Sequence, residues 1–389
     1  MDKLYEYMRR QLNFAPTELR RYVYERINWD SRMLGLVGPR GVGKTTLFLQ
    51  RILDNHSLDD TLYITADHLY FANHTLLDTA EVFYKYGGKH LFIDEVHKYD
   101  GWSRELKVIY DSFPGLQVLF TGSSILDIEK GEADLSRRAP VYHMQGLSFR
   151  EFLKIRHDID IPVCTLDDVL DNHVILPGIE HPLVFFKEYL ANGYYPFGAE
   201  PDFELRLEQV VIRTLETDIP QFANMTAATG KKLLRLMAIV STIAPFKPNM
   251  TKLGSQIGAS RNNVEEYLVF MEKAGMISQL RTGAAGLGAL DKVEKVYLDN
   301  TNILQVLGGD SADVGTMRET FFFNQMRVDR DVRSSPISDF EVDGITFEVG
   351  GRNKGTNQLS RAERGYMVAD TIEYGHGRTV PLWSFGLLY

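Results

Sequence analysis

The 389-residue sequence predicts an α/β protein built on a five-stranded parallel sheet. Five short runs are almost continuously apolar, which is the pattern of strands buried on both faces, and the segments between them are long enough for crossover helices. A glycine-rich stretch separates the first run from an amphipathic helix. The predicted strands cover residues 33–38, 61–65, 89–94, 117–122 and 140–144.

The segment ahead of the sheet, residues 1–30, is predicted to be helical throughout. Leu4, Met8 and Leu12 recur at helical spacing, and a second apolar series follows over residues 19–27. The helix expected around residues 22–27 is also a candidate wall for a nucleotide base, which apolar and backbone groups usually hold.

Composition limits the class of protein. A hydrophobic content of 44% supports two or three domains, and the net charge of −9 provides no global attraction to nucleic acid or anionic membranes. Cys164 is the single cysteine, which excludes internal disulfides and fits a reducing compartment. No apolar run approaches the roughly 18 residues of a membrane span. We therefore expect a soluble cytoplasmic protein with no membrane partner.

Residues 38–45 read Gly-Pro-Arg-Gly-Val-Gly-Lys-Thr and fit the G-x-x-x-x-G-K-[ST] phosphate loop, between a predicted strand and a predicted helix. The glycines allow backbone conformations in which successive N–H groups turn toward phosphate oxygens. Lys44 is predicted to bridge the β- and γ-phosphates of ATP, and Thr45 to bind Mg²⁺. The nucleotide-binding residues predicted from the loop are Gly38, Pro39, Arg40, Gly41, Val42, Gly43, Lys44, Thr45 and Thr46.

A pair of carboxylates follows the third predicted strand. Asp94 is expected to hold Mg²⁺, directly or through water, and Glu95 to orient or deprotonate the attacking water. The stretch Asp94-Glu95-Val96-His97 also has the form of a DExH helicase box. Because no second motor domain follows in the sequence, we interpret His97 as an ordinary surface residue.

Further catalytic candidates follow the fourth predicted strand. Ser123 or Ser124, at the strand tip, would sense the γ-phosphate or position water. Arg137 and Arg138 precede the fifth strand, where a guanidinium can neutralise charge on the γ-phosphate in its own subunit or in a neighbour. A solvated salt bridge accounts for the two arginines equally well.

Several stretches together resemble the prokaryotic AAA-type ATPases of the AAA_14 group that carry a DUF4143 C-terminal region. The resemblance covers nearly the whole chain and rests on residues 38–45, 92–98, 121–124, 135–138, 146–153, 194–198, 295–300 and 318–324. It implies a P-loop ATPase core, a winged-helix middle and a nuclease-like end. The expected domains are the ATPase core (1–150), a helical subdomain (151–228), a winged helix (229–300) and a PD-(D/E)xK nuclease-like α/β domain (301–389).

The middle of the chain gives its own support to a winged helix. Three helices are predicted over 233–243, 251–257 and 260–274, with Ser260 as an N-cap and Gly275 as a stop. Strands over 276–281 and 292–298 are expected to pair as the wing. Residues 231–300 carry a surplus of four positive charges, but two glutamates follow Arg261 in the presumed recognition helix. Binding to DNA and a purely structural or protein-binding role both stay open.

The last segment has the order of a metal-dependent nuclease site. Glu319, Asp339 and Glu348 are candidate Mg²⁺ ligands. The standard lysine two residues after the last acid is replaced by glycine, so Lys354 or Arg352 would have to supply the cation. The alternatives are an active nuclease and a retained fold that recognises nucleic acid or a partner.

The combined prediction is an ATPase whose nucleotide state controls the winged-helix and nuclease-like parts. Three classes of function remain open at this point. The protein is an ATPase stimulated by DNA or RNA, an ATP-regulated nuclease, or a nucleotide-driven switch that acts on a protein partner or on its own oligomeric state.

Overall fold

The computed structural model describes residues 1–122, 135, 137–283, 292–309, 312–351 and 359–389. The chain divides into two compact units, Met1–Gly146 and Leu147–Tyr389, which we call the first and second unit. Each has its own buried apolar core.

The first unit contains the predicted five-stranded parallel sheet. Its strands are β1 (Met33–Val37), β2 (Thr61–Thr65), β3 (His90–Asp94), β4 (Gln117–Gly122) and β5 (Val141–His143). They lie in the order β2-β3-β4-β1-β5, and every pairing is parallel. The strand predictions are confirmed, because the central strands are buried on both faces and their apolar runs are continuous.

The helices of the first unit correct one prediction. They are α1 (Asp2–Asn13), α2 (Lys44–Asn55), α3 (Leu76–Lys85) and α4 (Trp102–Ser112), with 3₁₀ turns at Tyr22–Glu25, Leu69–Ala72 and Val96–Lys98. Residues 14–21 and 26–30 are not helical, contrary to the prediction for residues 1–30. Pro16 is incompatible with a continuous helix, and the Gln50 amide on α2 satisfies the carbonyls of Pro16 (2.7 Å) and Leu19 (2.9 Å).

The second unit begins with a largely helical half. Its helices are α5 (Phe149–His157), α6 (Leu166–Leu170), α7 (Pro182–Asn192), α8 (Phe203–Arg213), α9 (Ile219–Phe222), α10 (Ala227–Ile243), α11 (Met250–Ile257), α12 (Arg261–Lys273), α13 (Thr301–Gly308) and α14 (Val314–Met326). A π-helical turn (Thr214–Asp218) joins α8 to α9, and 3₁₀ turns occupy Pro196–Ala199, Leu359–Arg361 and Leu382–Leu387. Ser260 caps α12 by accepting the Asn263 N–H, as predicted, and Gly275 follows this helix with φ 72°.

A seven-stranded mixed sheet completes the second unit. Its strands are β6 (Ile277–Thr282), β7 (Val293–Leu298), β8 (Val332–Ser334), β9 (Phe340–Val342), β10 (Ile345–Gly350), β11 (Gly365–Ala369) and β12 (Thr379–Pro381). They lie in the order β12-β11-β10-β9-β8-β6-β7. The pairs β10–β11, β11–β12 and β6–β8 are parallel, and the other pairs are antiparallel.

The sheet changes the interpretation of the predicted wing. Strands β6 and β7 pair antiparallel, as expected, but Arg281 and Thr282 of β6 also pair with Arg333 and Ser334 of β8. The two strands are therefore one end of the large sheet rather than a free-standing hairpin. That sheet runs across residue 300, where the sequence had suggested a domain boundary.

The aromatic run at residues 321–323 is buried in the core of the second unit. Over the parts of the chain that the structure describes, no helix combines the length and apolarity needed to cross a bilayer.

Candidate functional site

The predicted phosphate loop connects β1 to α2 at the carboxyl edge of the first unit's sheet. Gly41 (φ 84°) and Gly43 (φ 102°) have left-handed backbone conformations that disfavour any side chain. At Gly38 the backbone of the segment after β5 comes so close that a Cβ atom would lie 2.1 Å from the Met144 carbonyl oxygen. Glycine is thus required at these positions by backbone geometry and by packing.

The ammonium of Lys44 is buried inside this loop. Only 6% of the residue is exposed, and Nζ donates to the carbonyl oxygens of Gly38 and Pro39, both at 2.8 Å. Burial lowers the pKa of Lys44 to about 8, against the opposing influence of the nearby Asp94 and Glu95 carboxylates. Neutral carbonyls compensate a buried cation only in part, so the site favours an anionic partner such as a polyphosphate.

Asp94 lies beside Lys44 and accepts hydrogen bonds from three hydroxyl groups. Oδ2 accepts from Thr45 Oγ1 at 2.6 Å and from the Tyr63 phenol at 2.9 Å, and Oδ1 accepts from Thr121 Oγ1. The Thr45 hydroxyl and the Asp94 carboxylate are hard oxygen donors within contact of one another. This donor set fits Mg²⁺.

Glu95 has the left-handed backbone conformation (φ 51°), which is uncommon for a residue other than glycine. Its N–H donates to Thr121 Oγ1 at 3.1 Å, which fixes this turn directly after β3. Burial raises the pKa of the Glu95 carboxyl, with a further contribution from Asp94. A carboxylate that binds protons more readily than usual is better suited to accept a proton from water.

His97, interpreted from the sequence as a surface residue, is half-buried. Burial lowers its pKa to about 2, so the ring is neutral at physiological pH.

Three residues at this site escaped the sequence analysis. Thr121 is the second-last residue of β4, and the sequence drew attention to the serines that follow the strand instead. Tyr63 lies within an ordinary buried strand, and only its phenol distinguished it from the apolar residues around it. Arg21 has no motif around it, yet it is buried and donates to the carbonyl oxygens of Val42 (2.5 Å), Gln145 (2.8 Å) and Gly146 (2.8 Å).

The remaining catalytic candidates of the first unit are two serines and two arginines. Ser123 and Ser124 lie outside the described residues. Arg138 forms a two-point ion pair with Asp111, at 3.1 Å from Nε and 3.0 Å from one terminal nitrogen. Arg137 is exposed.

In the second unit, the nuclease-like candidates Glu319 and Asp339 face Lys295 on β7. Lys295 Nζ lies 3.0 Å from Glu319 Oε2 and 3.9 Å from Asp339 Oδ1, and the Tyr297 phenol donates to Glu319 at 2.7 Å. Lys354 lies outside the described residues.

Glu348 is adjacent to this group. The Ser338 hydroxyl donates to Glu348 Oε2, and Asp339 Oδ2 accepts from the Val349 N–H at 2.9 Å. Within the described ranges, however, no three histidine, cysteine, aspartate or glutamate side chains are close enough together to hold a metal ion. The candidate carboxylates therefore do not fit the metal site that the nuclease resemblance implies, and an ammonium lies where two of them converge.

At least four of the ten positive side chains of residues 231–300 are in ion pairs. Four ion pairs involve them: Lys247–Glu294 (2.7 Å), Arg261–Glu265 (3.0 Å), Arg281–Glu272 (2.5 Å) and Lys295–Glu319 (3.0 Å). The Arg261 pair matters most, because this residue begins the presumed recognition helix. Pairing weakens the electrostatic case for a nucleic-acid surface here.

Two different family models match the chain, one mainly in the first unit and one within the second. Residues 30–153 match the AAA domain family AAA_14, whereas residues 185–313 match a domain of unknown function, DUF8612, in place of the expected DUF4143 region. The chain is 32% identical over 128 residues to the uncharacterized protein MJ1544 of Methanocaldococcus jannaschii, a stretch that covers 31% of this chain and only 28% of that relative.

Two solved structures share low sequence identity with the chain. The Walker-type ATPase paby2304 of Pyrococcus abyssi is 13% identical, with a TM-score of 0.45 over 76% of this chain and 99% of that one. The S. cerevisiae Hsp104–ADP complex is 16% identical, with a TM-score of 0.28 over 69% and 37%. The match over residues 30–153 and the five-stranded parallel sheet support an AAA-like P-loop ATPase fold for the first unit.

Proposed function

We propose that the first unit binds ATP with Mg²⁺ and hydrolyses it to ADP and phosphate, and that its nucleotide state controls the second unit. The observation that carries this proposal is the contact of 2.6 Å between Thr45 Oγ1 and Asp94 Oδ2, beside the buried ammonium of Lys44. Two oxygen ligands suited to Mg²⁺ and one cation suited to phosphate thus lie together at the start of α2.

Each of these residues has a proposed role. Lys44 binds the β- and γ-phosphates, whose oxygens replace the loop carbonyls as its partners, and the amino end of α2 adds its positive dipole. Thr45 and Asp94 would hold Mg²⁺, which when bound neutralises charge on the phosphate oxygens. Glu95 orients the attacking water and accepts its proton.

Arg137 is the arginine that we propose for completing the site from a neighbouring subunit. Arg138 is held by Asp111 on the surface of its own unit, whereas Arg137 is exposed. This assignment requires a homo-oligomer, and mass measurement by light scattering in the ATP-bound and ADP-bound states tests it.

Calorimetric titration with ATP, with and without Mg²⁺, tests the central proposal. Lys44→Ala should weaken nucleotide binding strongly because it removes the buried ammonium that the loop carbonyls of Gly38 and Pro39 hold. Glu95→Gln should keep binding and slow hydrolysis by about 10²-fold or more, since the general base is lost but the shape is retained. Absence of binding heat in the wild-type protein, or equal turnover by Glu95→Gln, would contradict it.

Among the open classes of function, we propose a nucleotide-driven switch ahead of a nucleic-acid-stimulated ATPase, because Arg261 at the start of the presumed recognition helix is paired with Glu265. ATP turnover measured with and without single- and double-stranded DNA distinguishes the two. A switch predicts the same turnover in all three samples, whereas stimulation that weakens steeply with salt would support the nucleic-acid alternative.

A further inference from the structure

We propose that Tyr63 is a positioning residue of the metal site, which fixes the Asp94 carboxylate and is itself supported by helix α1. The inference rests on the proposed function, since Asp94 acts as a metal ligand only if Mg²⁺-ATP binds. It adds to that function a residue outside both sequence motifs and an element ahead of the sheet.

The geometry starts from the neighbouring strand. Tyr63 lies on β2, where it pairs with Phe92 of β3, and its phenol reaches Asp94 Oδ2 at 2.9 Å. Only 1% of Tyr63 is exposed, so that water cannot replace this bond. Phenylalanine would fill the same apolar space, and a buried hydroxyl without a partner is unfavourable. The phenol is therefore explained by its bond to Asp94.

The other donors to Asp94 show why this bond matters. Thr45 shares Oδ2 with Tyr63, but its hydroxyl is also the one that would turn to a bound cation. Thr121 holds the opposite oxygen, Oδ1. Once Thr45 has turned away, Tyr63 remains as the donor to Oδ2, and together with Thr121 it keeps the carboxylate plane in place. Partners that orient a metal ligand in this way commonly change metal affinity by about 10- to 100-fold.

Helix α1 holds Tyr63 from outside the sheet. The backbone N–H of Tyr63 points at Met8 Sδ (3.2 Å), and the Tyr7 ring stacks on the Tyr63 ring with centroids 6.2 Å apart and planes 10° from parallel. Tyr7 in turn contacts the His68 ring edge-on at 5.3 Å. The carboxylate, the phenol and two side chains of α1 thus form one contiguous path from the metal site to the amino-terminal helix.

Tyr63→Phe is the decisive variant, because it keeps the ring and removes only the donor. Binding of a fluorescent ATP analogue is measured in EDTA and over a Mg²⁺ titration with the full-length protein. We expect unchanged affinity in EDTA and a half-saturating Mg²⁺ concentration raised about 10-fold. Tyr99→Phe is the matched control, since it removes a phenol that donates to a different carboxylate, Glu105, at 2.8 Å.

A second variant keeps the proposal testable if Tyr63→Phe fails to fold. Tyr7→Ala removes the half-buried stacking partner and should raise the Mg²⁺ requirement in the same direction by a smaller factor. In an Asp94→Asn background, Tyr63→Phe should have no further effect on Mg²⁺ dependence, because the carboxylate that it positions is gone.

The outcomes separate the two proposals. A Mg²⁺ titration of Tyr63→Phe that coincides with the wild type, or an equal loss of affinity in EDTA and in Mg²⁺, overturns the role of Tyr63 and leaves the ATPase proposal intact. Failure of the wild-type protein to bind the nucleotide under any condition overturns both.

Discussion

At the scale of single residues, the candidate site is organised by hydroxyl groups around one carboxylate. Thr45, Tyr63 and Thr121 come from three different elements and all donate to Asp94, while Thr121 also accepts the Glu95 N–H. Burial raises the pKa of the Tyr63 phenol far above its usual range, so that it stays a donor. The two acidic residues are therefore fixed before any ligand arrives.

Thr121→Val tests the contribution of the residue that serves both acids. Valine has the same shape but leaves the Glu95 N–H without its partner and releases one Asp94 oxygen. We expect the free energy of unfolding to fall by about 1–3 kcal/mol and ATP turnover to fall by roughly 10²-fold as the carboxylates lose their placement. Urea unfolding and steady-state hydrolysis measure the two effects. Thr121→Ser, which keeps the hydroxyl, should restore most of both, and wild-type turnover in Thr121→Val would contradict this role.

His56 follows the last residue of α2 and lies at the opposite end of the sheet from the candidate site. Its titration makes the folding stability depend on pH. Its ring contacts the His90 ring at 4.3 Å, and burial together with the charges of His90 and Arg51 lowers its pKa to about 4, with Asp60 opposing. The unfolded chain takes up a proton at His56 below about pH 6.5, and the folded chain only below about pH 4. Stability is therefore lost as the pH falls through this window.

The His56→Asn variant isolates this contribution. Because the ring is half-exposed, we expect it to account for about 1 kcal/mol of the stability lost between pH 6.5 and pH 4. Unfolding free energies at a series of pH values should show a shallower decline in His56→Asn than in the wild type. Parallel curves for the two proteins would refute the assignment.

At the scale of elements, local signals determined what the sequence could predict. Strands β1 to β4 were found because nearly all of their residues are buried, which gives continuous apolar runs. The phosphate loop was found because glycine and lysine spacing is a local property. The break at residues 14–21 has one local signal, Pro16. Its other stabilising contact is non-local, because Gln50 on α2 donates to the carbonyls of Pro16 and Leu19. The pairing of β6 with β8 joins residues about fifty positions apart, and no periodicity within either strand specifies it.

Non-local contacts also determine the surroundings of the candidate nuclease carboxylates in the second unit. The sequence pointed to Glu319, Asp339 and Glu348 in a plausible order, but it gave no reason to place Lys295 among them. Lys295 lies next to Glu319 of α14 because its strand, β7, forms one edge of the seven-stranded sheet. The order of acidic residues thus identified a real cluster, whereas its charge balance depended on a residue from a distant part of the chain.

Lys295→Met tests this charge balance. Removing the ammonium takes the compensating charge from two mostly buried carboxylates, Glu319 and Asp339. We expect the unfolding free energy at neutral pH to fall by about 1–3 kcal/mol. A second substitution, Glu319→Gln, should recover part of that loss, since it removes one of the uncompensated charges. Chemical denaturation of the four proteins of this double-mutant cycle gives the coupling. An additive result would show that Lys295 does not compensate Glu319.

At the scale of the whole molecule, each unit holds its own end of the chain at the Gly146–Leu147 peptide bond through hydrogen bonds. Arg21 binds the carbonyls of Gln145 and Gly146 at the end of the first unit and the Val42 carbonyl in the phosphate loop. In the second unit, the Leu147 N–H donates to the Tyr194 carbonyl at 2.7 Å, and the Leu147 carbonyl accepts the Tyr189 phenol at 2.6 Å. Arg21 therefore links the phosphate loop to the last residues of its own unit.

Hydrogen exchange with and without Mg²⁺-ATP tests whether nucleotide binding to the first unit affects the second. The experiment uses Glu95→Gln, which should bind nucleotide without turning it over. Nucleotide at about 100 times its Kd stabilises the unit that binds it by about 2.7 kcal/mol, so amides of the phosphate loop and α2 should exchange more slowly. If nucleotide state controls the second unit, the exchange rates of amides of α7 near Tyr189 should also change.

The Lys44→Ala control should show neither effect. Protection confined to residues 1–146 would keep the ATP site and contradict the control of the second unit, because a ligand can shift only those elements whose states differ in affinity for it.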